Sequence, residues 1–189
     1  MADPQLYKAT GIILKRNNVG EGDKILTVFC KKVGKKRFIA KGIRKVGSRR
    51  APHLELFSKT DFLIHKGKML DSITGATARH LCGSSYTYLG QIACAYAACE
   101  VIDRLIMEGQ EHDDTYELLD TVLSDIETSE YIQLRIILQE FMDRVLMTLG
   151  YRRRETRSNS LGDAIYQVET VIERKIRSKN LLSRSGIPL

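Results

Sequence analysis

Residues 31–50 hold ten lysines and arginines and no carboxylate. Lys31, Lys32, Lys35, Lys36 and Arg37 surround one turn, and Lys41, Arg44, Lys45, Arg49 and Arg50 carry the charge onward. Side chains of one sign at this density neutralise a polyanion, most simply the phosphates of nucleic acid. The alternative, a solvated strand edge that resists aggregation, would mix its signs. Phe29 and Phe38 lie beside the cluster and are of a type that stacks on bases or fills a core.

Other chemistries find little support. The chain has no GxxxxGK[ST] phosphate loop, no GxSxG elbow, no HExxH and no GxGxxG. His53, His65, His80 and His112 are scattered, three of them in turns or at element ends. Glu21 and Asp23 form a close carboxylate pair whose expected role is to shape a turn and to pair with Lys24. The Gly20-Glu21-Gly22 stretch is too short to cradle phosphate, and its acid would repel one. Cys30, Cys82, Cys94 and Cys99 show no CxxC spacing, so neither a disulfide framework nor a zinc ribbon is suggested. Cys94 and Cys99 fall on different faces of a helix, and Cys99 reads as a small buried hydrophobe. The expectation is no catalytic residue, no metal and no cofactor.

The elements that must position the cluster follow from charge and periodicity. Of the 189 residues, 43% are hydrophobic and 28% charged, which suits a globular chain and excludes disorder. Residues 1–80 carry 18 basic against 6 acidic side chains, residues 81–150 carry 3 against 13, and residues 151–189 carry 9 against 4. The overall +7 therefore hides two opposed blocks, and the sign change near residue 81 suggests a boundary. Two domains are expected, 1–80 and 81–189. The longest apolar run, Ile92 to Cys99, is too short to span a bilayer, and Asp3 and Lys8 interrupt any signal-like start. A reducing cytoplasm without membrane contact is the expected setting.

Before residue 80 the pattern is that of strands: Leu6–Arg16, Lys24–Val33, Lys35–Lys45, Phe57–Lys66 and Met69–Ala78, separated by turns rich in Gly, Asn and Asp. Five short strands with no helical period fit a small closed β-barrel. In an oligonucleotide-binding barrel, strands two and three with the first and fourth loops form the binding face. After Gly83 the period becomes helical. One stripe runs through Leu89, Ile92, Tyr96, Cys99, Ile102 and Ile106. A second helix opens at Asp114-x-x-Glu117 with Leu119, Leu123 and Ile126 inward. A third carries Leu134, Leu138, Phe141, Val145 and Leu149, and a fourth begins at Ser160-x-x-Asp163 with Ile165, Val168, Ile172 and Ile176 on one face. The tail Ser183–Leu189 reads as loose. The expected class is α+β, with an N-terminal five-stranded OB-fold β-barrel followed by a C-terminal α-helical bundle.

Several stretches read together. They are Ala9-Thr10-Gly11-Ile12-Ile13-Leu14-Lys15-Arg16, Gly20-Glu21-Gly22-Asp23-Lys24-Ile25-Leu26-Thr27, and Gly34 through Arg44 with Ser48-Arg49 beyond. Leu56-Phe57, Lys66-Gly67 and the segment Glu140-Phe141 … Leu149-Gly150-Tyr151 continue the pattern. Over roughly residues 6–151 the chain resembles the RecO family of bacterial recombination mediators. The resemblance implies binding of single- and double-stranded DNA and annealing of complementary strands. It also implies help in loading the RecA recombinase onto DNA coated by single-strand-binding protein, together with RecR, without nucleotide hydrolysis. Many relatives carry a cysteine zinc element soon after Leu-Gly-Tyr; here Tyr151 leads to Arg152-Arg153-Arg154-Glu155-Thr156-Arg157, no cysteine follows, and the region is shorter.

The residues expected to contact DNA are Lys15, Arg16, Lys35, Lys36, Arg37, Lys41, Arg44, Arg49 and Arg50. The acidic helical half is expected to be a protein-docking scaffold. Arg152, Arg153 and Arg154 would either receive an acidic, apolar-tipped peptide such as the tail of single-strand-binding protein, or act as a basic helix C-terminal cap. An RNA-binding barrel with a helical docking domain is the alternative reading. A metal-dependent nuclease or phosphoryl-transfer enzyme is disfavoured, because the basic half holds no carboxylate cluster for metal. The expected location is the cytoplasm, at the nucleoid.

Overall fold

A computed structural model describes residues 5–153 and 156–189, apart from the side chain of Ser84. Among the described residues, five strands come first: β1 Leu6–Val19, β2 Asp23–Cys30, β3 Gly34–Ala40, β4 Lys59–His65 and β5 Asp71–His80. Six α-helices follow among them: α1 Cys82–Ser85, α2 Leu89–Leu105, α3 Asp113–Thr128, α4 Leu134–Thr148, α5 Leu161–Ile172 and α6 Lys179–Arg184. The chain forms two compact units. One comprises Met1–Gly83 with Met107–His112, the other Ser84–Ile106 with Asp113–Leu189.

In the first unit the strands close into a barrel of order β1-β2-β3-β5-β4. This is a five-stranded OB-type barrel, and helices follow it in the chain. β1 serves two neighbours. Leu6 to Ile12 pairs antiparallel with β4, and Gly11 to Val19 pairs with β2, with a bulge between Ile13 and Lys15. Such a bulge adds the local bend and twist that a single strand needs to turn around a small barrel. Closure is completed by a short parallel contact, Phe38 with Asp71 and Ile39 with Ser72. Inward residues of every strand meet in one core that includes Ile13, Leu26, Val28, Phe38, Phe62, Ile64 and Ile73. Phe38 stacks on Phe62 with ring centroids 6.3 Å apart. Each such side chain contributes about 1.5–3 kcal/mol of burial.

The third strand ends at Ala40, five residues before the expected Lys45. The cause is local. Asp23 accepts a hydrogen bond from the Gly42 backbone at 2.7 Å, the Arg44 amide donates to Gly22, and Lys45 donates to Gly42. Lys41 and Arg44 therefore stand on a turn, not on a strand.

In the second unit, α2 packs against α3, α4, α5 and α6. Its expected stripe is only half right. Leu89 and Tyr96 are exposed, whereas Ala93, Cys94, Ala95, Ala97, Ala98 and Cys99 are all buried. A helix covered by neighbours on several sides has no single apolar stripe, so periodicity misplaces its core face. Cys94 and Cys99 are both buried despite lying on different faces, and burial pushes the Cys94 thiol up to about 12. The side chain of Gln91 ties α2 to α3. It donates to the carbonyls of Ile126 and Glu127 and accepts from the amides of Thr87 and Tyr88.

Helix α3 opens at Asp113, so Asp114 lies inside its first turn instead of capping it. Leu119, Leu123 and Ile126 are inward as expected, as are Leu134, Leu138, Phe141 and Val145 of α4. Ser160 caps α5 by accepting from the Asp163 amide at 3.1 Å. That helix stops at Ile172 because Glu173 turns left-handed, which leaves the buried Ile176 beyond it. The C-terminal tail is packed: Leu182 and Ile187 are buried, and the Tyr131 hydroxyl donates to the Ser185 carbonyl at 2.8 Å. No helix among the described residues is long and apolar enough to cross a membrane.

Candidate nucleic-acid interface

The nine basic residues singled out in the barrel do not form one continuous patch. Their main gathering is at the barrel end bounded by the β1–β2 turn and the segment 41–58. Arg16 reaches Glu55 at 2.6 Å and donates to the Leu54 carbonyl. Arg44 donates to the Gly20 carbonyl at 3.3 Å, holding its guanidinium over the turn. Lys41 and Arg49 are exposed and make no ion pair among the described residues.

Two lysines outside the chosen set join them. Lys45 is exposed on the same turn, and Lys24 stands at the start of β2. Lys24 has its ammonium held below the usual lysine range, first by partial burial and then by Arg16 and Arg44, while Glu55 pulls it back part of the way. An anion arriving here would favour the charged ammonium. The sequence assigns Lys24 to the neighbouring Glu21 and Asp23 and not to the site, because only the barrel brings it to Arg16 and Arg44.

Arg50 is at the same end but does a structural job. Its guanidinium donates to the Lys41 carbonyl at 2.6 Å and to the Ile73 carbonyl, joining the 41–50 segment to β5. Replacing Arg50 by alanine is expected to destabilise the barrel by about 1.5–3 kcal/mol, since both bonds carry a charged donor. Arg50→Lys should not rescue it, because one ammonium cannot span two carbonyls as a guanidinium does. Thermal unfolding of the two variants reads this directly.

On the outer wall, the strand register lines up Lys15, Thr27 and Arg37 in a row across β1, β2 and β3. Arg37 is paired with Glu108 at 2.8 Å. Lys35, two residues earlier, is only 8% exposed, and its carbonyl accepts from the Gly109 amide at 2.9 Å. The segment Met107–His112 lies along this strand, with a parallel bridge from Lys35 to Glu108. Charge arithmetic along the chain placed Glu108 in the acidic half, yet the fold sets it against the basic strand.

Lys36 faces the opposite way. Its ammonium sits 5.8 Å from the centre of the Tyr7 ring, and the Tyr7 hydroxyl donates to Asp71 at 2.6 Å. Burial, then the hydrogen bond and charge of Asp71, push the Tyr7 phenol well above its ordinary range. The two aromatics beside the cluster are both core. Phe29 and Phe38 are 0% exposed, so neither can stack on a base.

Of the three arginines after Tyr151, Arg154 lies outside the described residues and Arg153 is exposed. Arg152 is not presented to a peptide. Its guanidinium, 10% exposed, pairs with Asp143 of α4 and donates to the Ser158 hydroxyl at 2.7 Å. Asp143 in turn accepts from the amide and hydroxyl of Ser158.

Comparison with known proteins agrees with the architecture. The family model described as Recombination protein O N terminal matches residues 1–81, and Recombination protein O C terminal matches residues 88–165. A DNA repair protein RecO of Desulfitobacterium hafniense (strain DSM 10664 / DCB-2) is 30% identical over 149 residues, covering 79% of this chain and 54% of that protein. That of Roseiflexus sp. (strain RS-1) is 32% identical over 148 residues, covering 78% and 51%. That of Bifidobacterium longum subsp. infantis is 36% identical over 118 residues, covering 60% and 48%. The chain spans about half the length of the curated relatives it matches. With a barrel under the first model and helices under the second, in the order both require, this chain belongs to the RecO family.

Proposed function

We propose that this chain binds DNA through the loop end of its barrel and acts as a mediator of recombinational repair that anneals complementary strands. The observation that carries the reading is the gathering of cations at that end. Arg16, Lys24 and Arg44 meet there with Glu55 as a counter-charge on Arg16, and Lys41, Lys45 and Arg49 are exposed alongside. Such a one-sided surface attracts a polyanion. When two strands are drawn to one basic surface, the repulsion opposing their pairing falls.

In this reading the protein performs no bond-making chemistry, and the barrel recognises phosphate instead of sequence. The names of its relatives, DNA repair proteins, are consistent with it. Assistance to recombinase loading on DNA coated by single-strand-binding protein, with RecR as partner, completes the proposed role, at the bacterial nucleoid. The helical unit is then the docking scaffold. Arg153 is the exposed member of its basic cluster among the described residues.

The test is annealing of two complementary labelled oligonucleotides at about 0.1 M salt, where the Debye length is about 10 Å and surface charge still acts. The protein is expected to accelerate annealing of every sequence pair to a similar degree. An unchanged rate at saturating protein would refute the reading. Preference for RNA strands over DNA strands of the same sequence would replace it with RNA binding.

A further inference from the structure

The outer wall of β1, β4 and β5 carries a groove of about 600 Å³ that the loop-end site does not use. Strand register builds its floor in two rows. Lys8, Leu63 and Gly75 lie abreast, and Thr10, Asp61 and Thr77 lie abreast beside them. Lys31 and Lys32, from the β2–β3 turn, and Arg79, near the end of β5, complete the lining cations. Among the described residues the lining carboxylate is Asp61, which accepts from Thr10 at 2.6 Å and from Arg79 at 2.7 Å. Partial burial would raise its carboxyl, but the bonds from Arg79 and Thr10 outweigh it and hold the group below the usual range. Among the described residues, four cations and one carboxylate line the groove.

Among the described residues, the floor is hydrogen-bonded from β1 through β4 to β5, whereas β1 before Gly11 and β5 beyond Ser72 have no strand on their other side, so an extended peptide is the rival occupant. The lining cations favour a polyanion over it. The floor is shallow. Leu63, 38% exposed, lies abreast of Lys8 and of Gly75, which has no side chain, while Ala9 and Ala76 pack toward the barrel core. The outer face thus offers no deep pocket for an apolar anchor. A shallow floor bounded by cations suits a nucleotide chain, whose phosphates meet the lysines while a sugar or base lies over Leu63 and Gly75. Along β1, Lys8 and Arg16 are separated by eight residues, roughly 26 Å of extended chain, so the groove and the loop end are distinct surfaces.

We propose that this groove holds a second single strand of nucleic acid while the loop end holds the first. The assignment rests on the annealing role proposed above and gives it a geometry: two strands bound to separate faces of one barrel.

The test uses the full chain and the double variant K8A/K32A, in which both replaced side chains are exposed. Binding of one labelled oligonucleotide should stay within about twofold of the parent, since the loop end is intact. That result also reports an intact fold. Capture of a second, non-complementary labelled strand by protein already loaded with the first should be lost, and annealing should slow by about tenfold. Second-strand capture and annealing at parental levels, in a parent that binds and anneals, would overturn the groove and leave the loop-end reading standing. A first-strand affinity that falls as far as the second would also overturn it, by making both surfaces one path. So would loss of an acidic peptide's binding with second-strand capture unchanged, which would assign the groove to a protein. A parent that binds no single strand would overturn both readings together.

Discussion

Replacing Asp143 by alanine is expected to destabilise the helical unit by about 3–5 kcal/mol, because it strands a buried guanidinium. Arg152 and Asp143 are 10% and 7% exposed, and Ser158, 6% exposed, gives both its amide and its hydroxyl to the same carboxylate. Removing Asp143 leaves a positive charge and two donors without their acceptor in a region water scarcely reaches. The pair is what fastens the segment after Tyr151 to α4. The double variant D143A/R152L should recover much of the loss, since deleting both charges also deletes the cost of burying them. In a unit of this size the single variant should melt more than 10 °C lower, at about 4–8 °C per kcal/mol. A loss under about 1 kcal/mol, or a double variant no better than the single, would show that the pair is not buried in solution.

Gly34→Ala should cost about 3 kcal/mol or more, from two sources. Gly34 has φ of +68°, a backbone conformation that costs an L-residue roughly 1–2 kcal/mol. In addition, a Cβ there would lie 2.1 Å from the Gln110 carbonyl oxygen and 2.5 Å from its carbon. Backbone cannot swing aside as a side chain can, so the Met107–His112 segment must lift from β3. Lifting it breaks the Gly109-to-Lys35 hydrogen bond and the Arg37–Glu108 pair. Gly47→Ala supplies the control, for its φ is +87° but nothing stands within 4 Å of the added carbon. Denaturant unfolding should separate the two variants by about 1–3 kcal/mol, the usual cost of overpacking. Amide exchange at Gly109 should accelerate only in Gly34→Ala. Equal losses in both would mean that the segment does not rest on β3.

The barrel was legible because short runs rich in β-branched and aromatic residues are bounded by Gly and Asn turns. Burial alternates cleanly only in β4, while β2 is buried throughout from Leu26 to Cys30 and β1 from Gly11 to Leu14. The end of β3 was not legible, because Asp23 fixes that turn from 19 residues away. Basic composition located a site on the barrel but could not divide it. Lys35, Lys36 and Arg37 are consecutive, yet alternation and the bridge to Glu108 send them to a buried position, to the Tyr7 ring and to an ion pair. Glu108 itself was invisible as a barrel residue, since nothing near Gly109 marks a return to the first unit. Likewise Arg152 to Arg154 read as one basic cluster, while Asp143, nine residues before Arg152 in the chain, claims that arginine. Local pattern sets element type; partners distant in sequence decide which charges remain available.

The central claim is that the exposed cations of the loop end meet phosphates directly, and salt dependence tests it most closely. Single-strand affinity of the full chain should fall linearly on a log–log plot against salt, with about −0.7 per phosphate contacted. The triple variant K41A/R44A/R49A should weaken binding of every base composition alike and flatten that slope by about 2 units. Unchanged slope and affinity in the triple variant would contradict the account and place the DNA path on another face of the barrel.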